Sequence, residues 1–487
     1  MARKETPKRS RKTRRDRRPS KSLSQNKTEL KALFKWLLPM ASLFAMGRFH
    51  GNIRWKPEQL VIQAIVWAFQ ESRSITEAFD RSVEDCLAMG WSDIAQTYPA
   101  FMNALRRYRQ ELLPVMLKRL QELGETVGGR FWRTDGWVLI GFDGSRASAP
   151  RSLSNERAFC AAKHGHGKTA KYRKKKSKGM RRRKNKQNPP APPKPQVWIT
   201  MMWHMALRLP WSWRIGASDS SERTHVIEML RSEKFPRRTL FSGDAGFVGY
   251  PLWSQILKVN CHFLIRVGGN VNLLAKQADY ERRGDGEVWC WPKDQMRCGG
   301  QPLRLRLVKV KIGKTQMWML TSVLDKSELT HRQIVRYYKM RWLIEVEFRG
   351  LKQTLENHTL RSRNNERLLV ELDWSIMAMA VAELFALGEQ IAHRPKQSYD
   401  PVHRSLANTM RALRNCLRSP DAYPKPGEDL RSQLREAVVQ KYNNKTDKKA
   451  RFRPPNPDKK PLLDPEVRPM EPHERKKLRE ILSELAA

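Results

Sequence analysis

Acidic residues are scarce in this chain. Its 487 residues include 94 lysines and arginines against 49 aspartates and glutamates, which gives a formal net charge of +45. An imbalance of this size attracts polyanions, of which nucleic acids are the commonest. An anionic membrane surface is the competing partner, but no basic amphipathic helix with a clean apolar face supports it. The charge therefore predicts a nucleic-acid partner, and it indicates no particular chemistry because ribosomal and chromatin proteins are equally basic.

Paired cysteines and long hydrophobic runs are also missing. The six cysteines lie far apart without a CxxC pair, which argues against a zinc knuckle or a disulfide framework and favours a reducing compartment. The N-terminus has no apolar signal segment, and the most apolar later stretch, Trp374 to Ala386, is short and contains Glu383. These features predict a soluble, cytoplasmic protein without a membrane segment. The length and a hydrophobic fraction of 40% predict two or three domains with sizeable cores.

Composition divides the N-terminal quarter into two parts. Residues 1–28 hold 12 lysines and arginines, two acids and almost no large apolar side chains. They predict a disordered basic arm that contacts phosphates or only aids solubility. Residues 29–127 show helical periodicity, with a capping box at Ser74 and Glu77 and a long helix from about Tyr98 to Leu123. We expect an all-helical N-terminal domain that binds DNA or serves packing and dimerisation.

Strand and helix patterns alternate over residues 128–390, which are expected to form a second domain. Buried-type strands are predicted at 137–142, 197–203, 211–215, 239–241 and 262–266. Helices separate the later strands, and the first of these is expected to start at a capping box of Asp219 and Glu222. Such alternation is typical of an α/β fold.

Two segments interrupt this pattern, and a polar region follows it. Residues 163–196 form a basic, proline-rich loop, with 14 lysines and arginines and no acid in 163–194. Residues 270–324 are predicted to be rich in β-strand. Residues 391–487 are predicted to be a C-terminal helical and polar tail region, with one helix near its end.

The most informative segment is a helix predicted from His331 to about Leu355 and capped by Thr330 and Gln333. At about 100° per residue, one stripe roughly 60° wide holds four polar side chains. They are Tyr338, Arg341, Glu345 and Lys352. Glu347 falls on the opposite face. A carboxylate between two cations suits a site that binds metal and phosphate together, and a solvated polar face is the alternative.

Two aspartates are candidate partners for Glu345. Asp143 follows one predicted strand and Asp244 follows another, and functional side chains of α/β sheets gather at the carboxyl ends of strands. The three carboxylates together could hold two Mg²⁺ ions about 3.5–4 Å apart, with Mn²⁺ as a possible substitute. A single strand-end aspartate is more often a turn or cap residue, and Asp135 and Asp219 are interpreted in that way.

At these residues the sequence resembles a known family. The spacing Y-x2-R-x3-E-x6-K from Tyr338 to Lys352 is the signature of a large group of bacterial insertion-sequence transposases. The segments Phe142-Asp143-Gly144-Ser145 and Gly243-Asp244-Ala245-Gly246-Phe247 also look similar to that group. The resemblance covers roughly residues 60–390, and the basic loop departs from it.

The resemblance implies an RNase H-like catalytic core with a β-rich insertion, in addition to the all-helical N-terminal domain. It implies that Asp143, Asp244 and Glu345 are the catalytic DDE triad and the metal ligands. It also implies that phosphates near the transposon terminus are bound by Tyr338, Arg341 and Lys352. A tryptophan of the insertion could stack on a flipped base or pack in the core; the candidates are Trp289, Trp291 and Trp318.

The implied activity is metal-dependent cleavage and strand transfer at transposon ends. The implied partners are double-stranded terminal repeats and target DNA, with a homodimer when two ends are paired. A catalytically inactive DNA-binding protein, such as a repressor or a retired transposase, and a non-transposing nuclease of the same fold are the alternatives. The run Gly165-His-Gly167-Lys168-Thr169 resembles part of a phosphate-binding loop, but no clear strand precedes it, so no ATP dependence is expected.

Overall fold

The structure is a computed structural model that describes residues 21–39, 43–72, 74–160, 195–276, 284–313, 315–393, 399–418, 429–439 and 463–484. Most of the predicted basic arm and all but the last two residues of the basic loop 163–196 lie outside the described residues. The same is true of the run 165–169 that resembles a phosphate-binding loop.

Among the described residues, five α-helices precede the first strand. They are α1 (Lys21–Leu37), α2 (Pro57–Phe69), α3 (Ile75–Ala88), α4 (Tyr98–Arg107) and α5 (Arg109–Gly128). The helix α1 begins inside the segment predicted as a disordered arm. The cap at Ser74 is observed, because its hydroxyl accepts a hydrogen bond from the Glu77 N–H at 3.0 Å. The Glu77 carboxylate, however, accepts from the Ser72 hydroxyl instead of closing the predicted box.

The single helix predicted from Tyr98 to Leu123 is wrong, because the chain bends at Tyr108. The Tyr108 ring packs against Phe49 and Trp55 at centroid distances of 4.9 and 5.5 Å. Its hydroxyl also accepts a hydrogen bond from the His50 N–H. These contacts with a distant segment override the local helical periodicity.

Ten strands of the described residues form one sheet. They are β1 (Val138–Ser148), β2 (Gln196–His204), β3 (Leu209–Gly216), β4 (Thr239–Gly243), β5 (His262–Val267), β6 (Asn272–Ala275), β7 (Asp285–Cys290), β8 (Leu303–Ile312), β9 (Thr315–Thr321) and β10 (Glu466–Pro469). Their order across the sheet is β10-β6-β7-β8-β9-β5-β4-β1-β2-β3.

The five strands at one side of this sheet carry the catalytic region. β1, β2 and β3 are antiparallel neighbours, whereas β4 pairs parallel with β1 and β5 pairs parallel with β4. This order, β3-β2-β1-β4-β5, is that of an RNase H-like core, so the predicted fold class is confirmed.

The predicted β-rich insertion continues the same sheet. Its last strand, β9, pairs antiparallel with β5, and β6, β7 and β8 extend the sheet outward from there. The far edge is β10, which comes from the region predicted to be a polar tail and pairs parallel with β6. The sequence did not indicate β10 because four residues contain too little alternation to stand out, and the strand depends on pairing with a distant edge.

The remaining helices cover the sheet and join it to the N-terminal helices. They are α6 (Leu153–Phe159), α7 (Glu222–Ser232), α8 (Tyr250–Lys258), α9 (Lys293–Arg297), α10 (His331–Arg341), α11 (Leu343–Arg349), α12 (Asn365–His393), α13 (Leu406–Leu417), α14 (Leu430–Arg435) and α15 (Pro472–Glu484). The long α12 packs against α2, α4, α5 and β3. Within the described residues, no helix is long and apolar enough to cross a membrane.

The capping box predicted at Asp219 and Glu222 is also wrong. The cap of α7 is Ser221, whose hydroxyl accepts from the Thr224 N–H. Glu222 is therefore the first residue of the helix, and its side chain is available for another role. The capping box predicted at Thr330 and Gln333 is confirmed at the start of α10.

Candidate active site

Asp143 and Asp244 occupy matching positions on neighbouring parallel strands. In the ladder between β1 and β4, Gly141 pairs with Ser242, and each aspartate lies two residues beyond that pair. Adjacent strands are about 4.8 Å apart, so the two carboxylates emerge side by side. The strand does not end at Asp143 as predicted: β1 continues to Ser148, paired with β2.

Asp143 is held by one backbone donor and one cation. Its Oδ1 accepts from the Gly144 N–H at 2.8 Å, and its Oδ2 lies 3.7 Å from Nη1 of Arg341. Burial nevertheless raises the pKa of the Asp143 carboxyl to about 6 against these two partners, and the negative charges of Asp244 and Glu345 make smaller contributions to that rise. The Asp244 and Glu345 carboxylates thus act electrostatically on Asp143.

Asp244 is oriented by the turn that follows β4. Its Oδ1 accepts from the Gly246 N–H at 2.8 Å, and the residue caps the 3₁₀ turn Ala245–Phe247. Because one carboxylate oxygen is used by the turn, the other remains available to a ligand.

Glu345 lies on α11, and the helix that carries it is interrupted. The prediction of one helix from His331 to Leu355 is wrong, since α10 ends at Arg341 and residues 350–354 form a π turn. The predicted contrast between the two glutamates is nevertheless observed. Glu345 is exposed, whereas Glu347 is 1% exposed and pairs with the buried Arg208.

Arg341 is clamped between two rings. Its guanidinium carbon lies 5.3 Å from the centroid of Tyr338 and 5.4 Å from that of Trp342, a cation–π arrangement that fixes its direction. The side chain is 5% exposed, and its Nε has no hydrogen-bond partner among the described residues. A buried donor without a partner is costly, so this atom favours an anionic ligand at the site.

The other two members of the signature differ in accessibility. The Tyr338 ring is 1% exposed, so in this arrangement a phosphate does not reach the ring, and its contact is with Arg341. Lys352 is half-buried in the π turn, and burial lowers the pKa of its ammonium group.

A fourth carboxylate, Glu222, lies at the site and was not predicted there. A Cβ built on Gly144 would lie 2.1 Å from Oε1 of Glu222, and one on Gly246 would lie 3.9 Å from its Oε2. The carboxylate therefore lies beside the residues that follow the two aspartates. Burial raises the pKa of Glu222 to about 7, with Asp143 and Asp244 adding to the shift. The sequence feature that could have indicated Glu222 is an acidic residue in the first turn of a helix that follows a core strand.

Other candidates prove to be structural. Asp135, interpreted as a turn residue, has a positive φ of 49° and accepts a hydrogen bond from the Tyr337 hydroxyl at 2.7 Å. The tryptophans considered for base stacking are buried, with exposed fractions of 2%, 4% and 8% for Trp289, Trp291 and Trp318. The alternative of core packing is therefore the one observed.

The donor set of the site fits a hard divalent cation. Within the described ranges, no three His, Cys, Asp or Glu side chains form a ready-made metal site. Oxygen ligands from carboxylates are nevertheless what Mg²⁺ prefers. Burial is the largest cause of the raised pKa values of Asp143 and Glu222, and the neighbouring acids add to it. A bound cation would favour the charged forms of these carboxylates.

The comparisons with known proteins bear on this region. Residues 162–381 match the family model described as "Transposase DDE domain". This part of the chain is therefore a transposase DDE domain. DDE transposases act on DNA and use divalent metal ions. The match contains Asp244 and Glu345 and begins after Asp143.

No curated protein matches the transposase. Among solved structures it is similar to the cryo-EM structure of the piggyBac transposase synaptic complex with hairpin DNA. The two chains are 13% identical, the alignment covers 88% of this chain and 86% of that chain, and the TM-score is 0.37. Similarity at this level does not establish a shared arrangement.

Proposed function

We propose that this transposase cleaves DNA at transposon ends and joins the freed strand to target DNA, with two Mg²⁺ ions held by Asp143, Asp244 and Glu345. One observation carries the assignment: the charges of Asp244 and Glu345 both act on the Asp143 carboxyl, although the three residues are far apart in sequence. Mn²⁺, another cation suited to oxygen ligands, is a possible substitute.

The residues of the chain would divide the chemistry among them. When bound, the metal ions supply an activated water or DNA 3′-hydroxyl and stabilise the leaving oxygen. Arg341, with an unpartnered Nε, would bind a phosphate oxygen beside Asp143. Tyr338 would hold the Arg341 guanidinium in place, and the half-buried Lys352 would contribute a second cation. Catalysis then depends on positioning and charge neutralisation.

The proposed DNA partners are the terminal repeats and the target duplex. Pairing of two ends requires two active sites, so the working form on paired ends would be a homodimer. A DNA-binding protein without catalysis and a nuclease that does not transpose are the competing functions. The retention of all three carboxylates favours an active enzyme over the first of these.

The first prediction concerns the three carboxylates. Asp143→Asn, Asp244→Asn and Glu345→Gln should each lower the rate of Mg²⁺-dependent nicking by about a thousandfold or more, because metal-ion catalysis contributes several kcal/mol to the barrier. The substrate is a duplex carrying the inverted repeats that flank the gene. Asp219→Asn, an exposed aspartate just before α7, is the matched control and should nick at the wild-type rate.

The competing functions give different results in the same assay. If the triple variant and the wild-type protein behave identically on DNA with Mg²⁺, the chain is a DNA-binding protein without catalysis. If the wild type nicks but never joins the freed end to a target plasmid, it is a nuclease.

A further inference from the structure

A cavity of about 530 Å³ lies between the N-terminal helices and the start of α12. Most of the residues that line it are basic or carry a hydroxyl, and no aspartate or glutamate of the described chain lines it. The lining includes Ser74, Tyr98, Arg361, Ser362, Arg363, Asn364 and Arg367. None of them belongs to the candidate active site.

Three helices begin at this cavity. Ser74 caps α3, and Tyr98 is the first residue of α4. Asn364 precedes α12, and its side-chain oxygen accepts from the N–H groups of Glu366 and Arg367. Side-chain caps already accept from some of the N–H groups at these helix N-termini. The partial positive charge of each N-terminus remains, and it favours an anion.

The arginines add full positive charges. Arg361 is fixed by the buried Glu371 and by the Ser72 carbonyl. Arg363 and Arg367 are exposed, and within the part of the chain that the structure describes neither forms an ion pair with a carboxylate. The guanidinium carbon of Arg367 lies 5.8 Å from the Tyr98 ring centroid, which keeps this cation over the cavity.

Ser362 supplies an independent indication of a ligand. Its side chain is 5% exposed, and its hydroxyl oxygen has no hydrogen-bond partner in the described structure. The backbone of Ser362 is fixed, because its N–H donates to Glu371 and its carbonyl accepts from Asn155. A buried hydroxyl without a partner costs about 1–3 kcal/mol, and an anion in the cavity would satisfy it.

The cavity lies at a distance from the active site that DNA can bridge. The Leu360 N–H donates to the Ser148 carbonyl at 2.8 Å. The lining residues 361–364 follow directly, so this side of the cavity begins beside the end of β1. Ser148 is five residues past Asp143 on that strand, which corresponds to about 16 Å at roughly 3.3 Å per residue. One DNA strand carries a phosphate about every 3.4 Å along the duplex axis, so about five phosphates span this distance.

We propose that this cavity binds one backbone phosphate of the DNA duplex whose scissile phosphate occupies the active site. The proposal rests on the proposed function, and it adds a second anchor about five nucleotides from the cleaved bond. Arg363 and Arg367 contact the phosphate, the Ser362 hydroxyl donates to it, and the helix N-termini favour its charge.

The first test removes the charges one at a time. Arg363→Gln and Arg367→Gln should each weaken binding of an end-bearing duplex by about threefold to tenfold and flatten the dependence of log K on log salt by about 0.9, the loss of one phosphate contact. Arg479→Gln is the matched control, because this exposed arginine on α15 loses the same charge away from the cavity. Its affinity and salt slope should stay close to those of the wild type.

The second test locates the phosphate. Neutral methylphosphonate groups are placed one at a time along the duplex, and one position about five nucleotides from the cleavage site should weaken wild-type binding. The Arg363→Gln/Arg367→Gln variant should be insensitive at that position only. If the same position weakens both proteins equally, the cavity does not hold that phosphate and the proposal is overturned.

Ser362→Ala separates binding from folding. The buried hydroxyl makes no hydrogen bond in the described structure, so its removal should not lower the thermal unfolding temperature of the free protein and should raise it, while it weakens binding of the duplex. A thermal-shift series with inorganic phosphate gives the other source of the same chemistry. If free phosphate stabilises the wild type but not Arg363→Gln while DNA binding is the same in both, the cavity is a site for small phosphates.

These outcomes are distinct from a failure of the proposed function. If the wild-type protein nicks end-bearing DNA and both arginine variants bind like Arg479→Gln, only the second anchor is wrong. If the wild-type protein neither binds nor nicks such DNA, the proposed function itself is wrong.

Discussion

At the scale of single residues, Gly144 links two of the carboxylates. Its N–H orients Asp143 through a hydrogen bond of 2.8 Å, and its missing side chain leaves the space that the Glu222 carboxylate occupies. Glu222 lies on a helix that is far from Asp143 along the chain. The sequence near Asp143 therefore indicates a glycine that allows close approach, but it does not indicate which side chain fills the space. Asp143 could be predicted from its strand, whereas Glu222 required the packing of α7 against β1.

Gly144→Ala should therefore affect the site more than the fold. The new methyl group would meet Oε1 of Glu222 at 2.1 Å, and the end of a flexible side chain can move away. We expect the free energy of unfolding to change by less than about 1 kcal/mol, while Mg²⁺-dependent nicking falls by about tenfold because the carboxylates are rearranged.

A double-mutant cycle tests whether the clash with Glu222 causes the loss of nicking. In a Glu222→Ala background the clash is absent, so the added Gly144→Ala change should have almost no further effect on nicking. If the two changes instead reduce the rate independently, the glycine acts by another route, such as direct contact with DNA.

At the scale of elements, the sequence predicted those strands and helix caps whose formation depends on local interactions. The strands β2 and β4 and the cap at Thr330 follow from alternation and from a capping box, and they were found as expected. The break between α10 and α11 and the π turn after it depend on distant contacts. Glu347 must reach Arg208, and Gly350 packs against Leu406, whose Cδ2 would lie 2.5 Å from an added Cβ.

The junction of α1, α2 and α3 contains a buried acid whose ionisation opposes folding. Asp85 on α3 accepts from Gln70 at the end of α2 at 2.8 Å and lies 3.8 Å from Lys27 on α1. Burial is the largest effect and raises the pKa of Asp85 to about 6. A raised folded-state pKa means that the native state holds the proton more tightly than the unfolded chain. This contribution to stability is complete below the unfolded value near pH 4 and is lost as the pH rises through about 6.

Asp85→Asn should remove that pH dependence. Relative to the variant, the wild type should lose about 2 kcal/mol of unfolding free energy between pH 4.5 and pH 8. Urea titrations of both proteins at these two pH values measure the difference. Asp80→Asn, an exposed acid on the same helix, is the control. If Asp85→Asn changes the free energy of unfolding equally at both pH values, the pKa of Asp85 is not raised in the folded state.

At the scale of the whole molecule, the two main features are one large hydrophobic cluster and an excess of positive charge. The same hydrophobic cluster runs from Leu30 on α1 through β1 to Leu434 on α14, so the N-terminal helices and the catalytic sheet are packed together. The positive charge is distributed over the chain, and its densest run is the segment 163–194, with 14 lysines and arginines and no acid. None of the proposed catalytic carboxylates belongs to this run, so its charge and the chemistry can be varied separately.

Replacement of those 14 lysines and arginines by serine and glutamine, at unchanged length, should weaken DNA binding without loss of catalysis. Each phosphate contact that disappears should flatten the dependence of log K on log salt by about 0.9. The nicking rate at saturating DNA should stay near the wild-type value, because Asp143, Asp244 and Glu345 and the cation Arg341 remain. Binding isotherms between 50 and 200 mM salt, together with single-turnover nicking, measure both quantities. An unchanged salt slope would show that the run makes no phosphate contact, and a slower rate at saturation would show that it takes part in the chemical step.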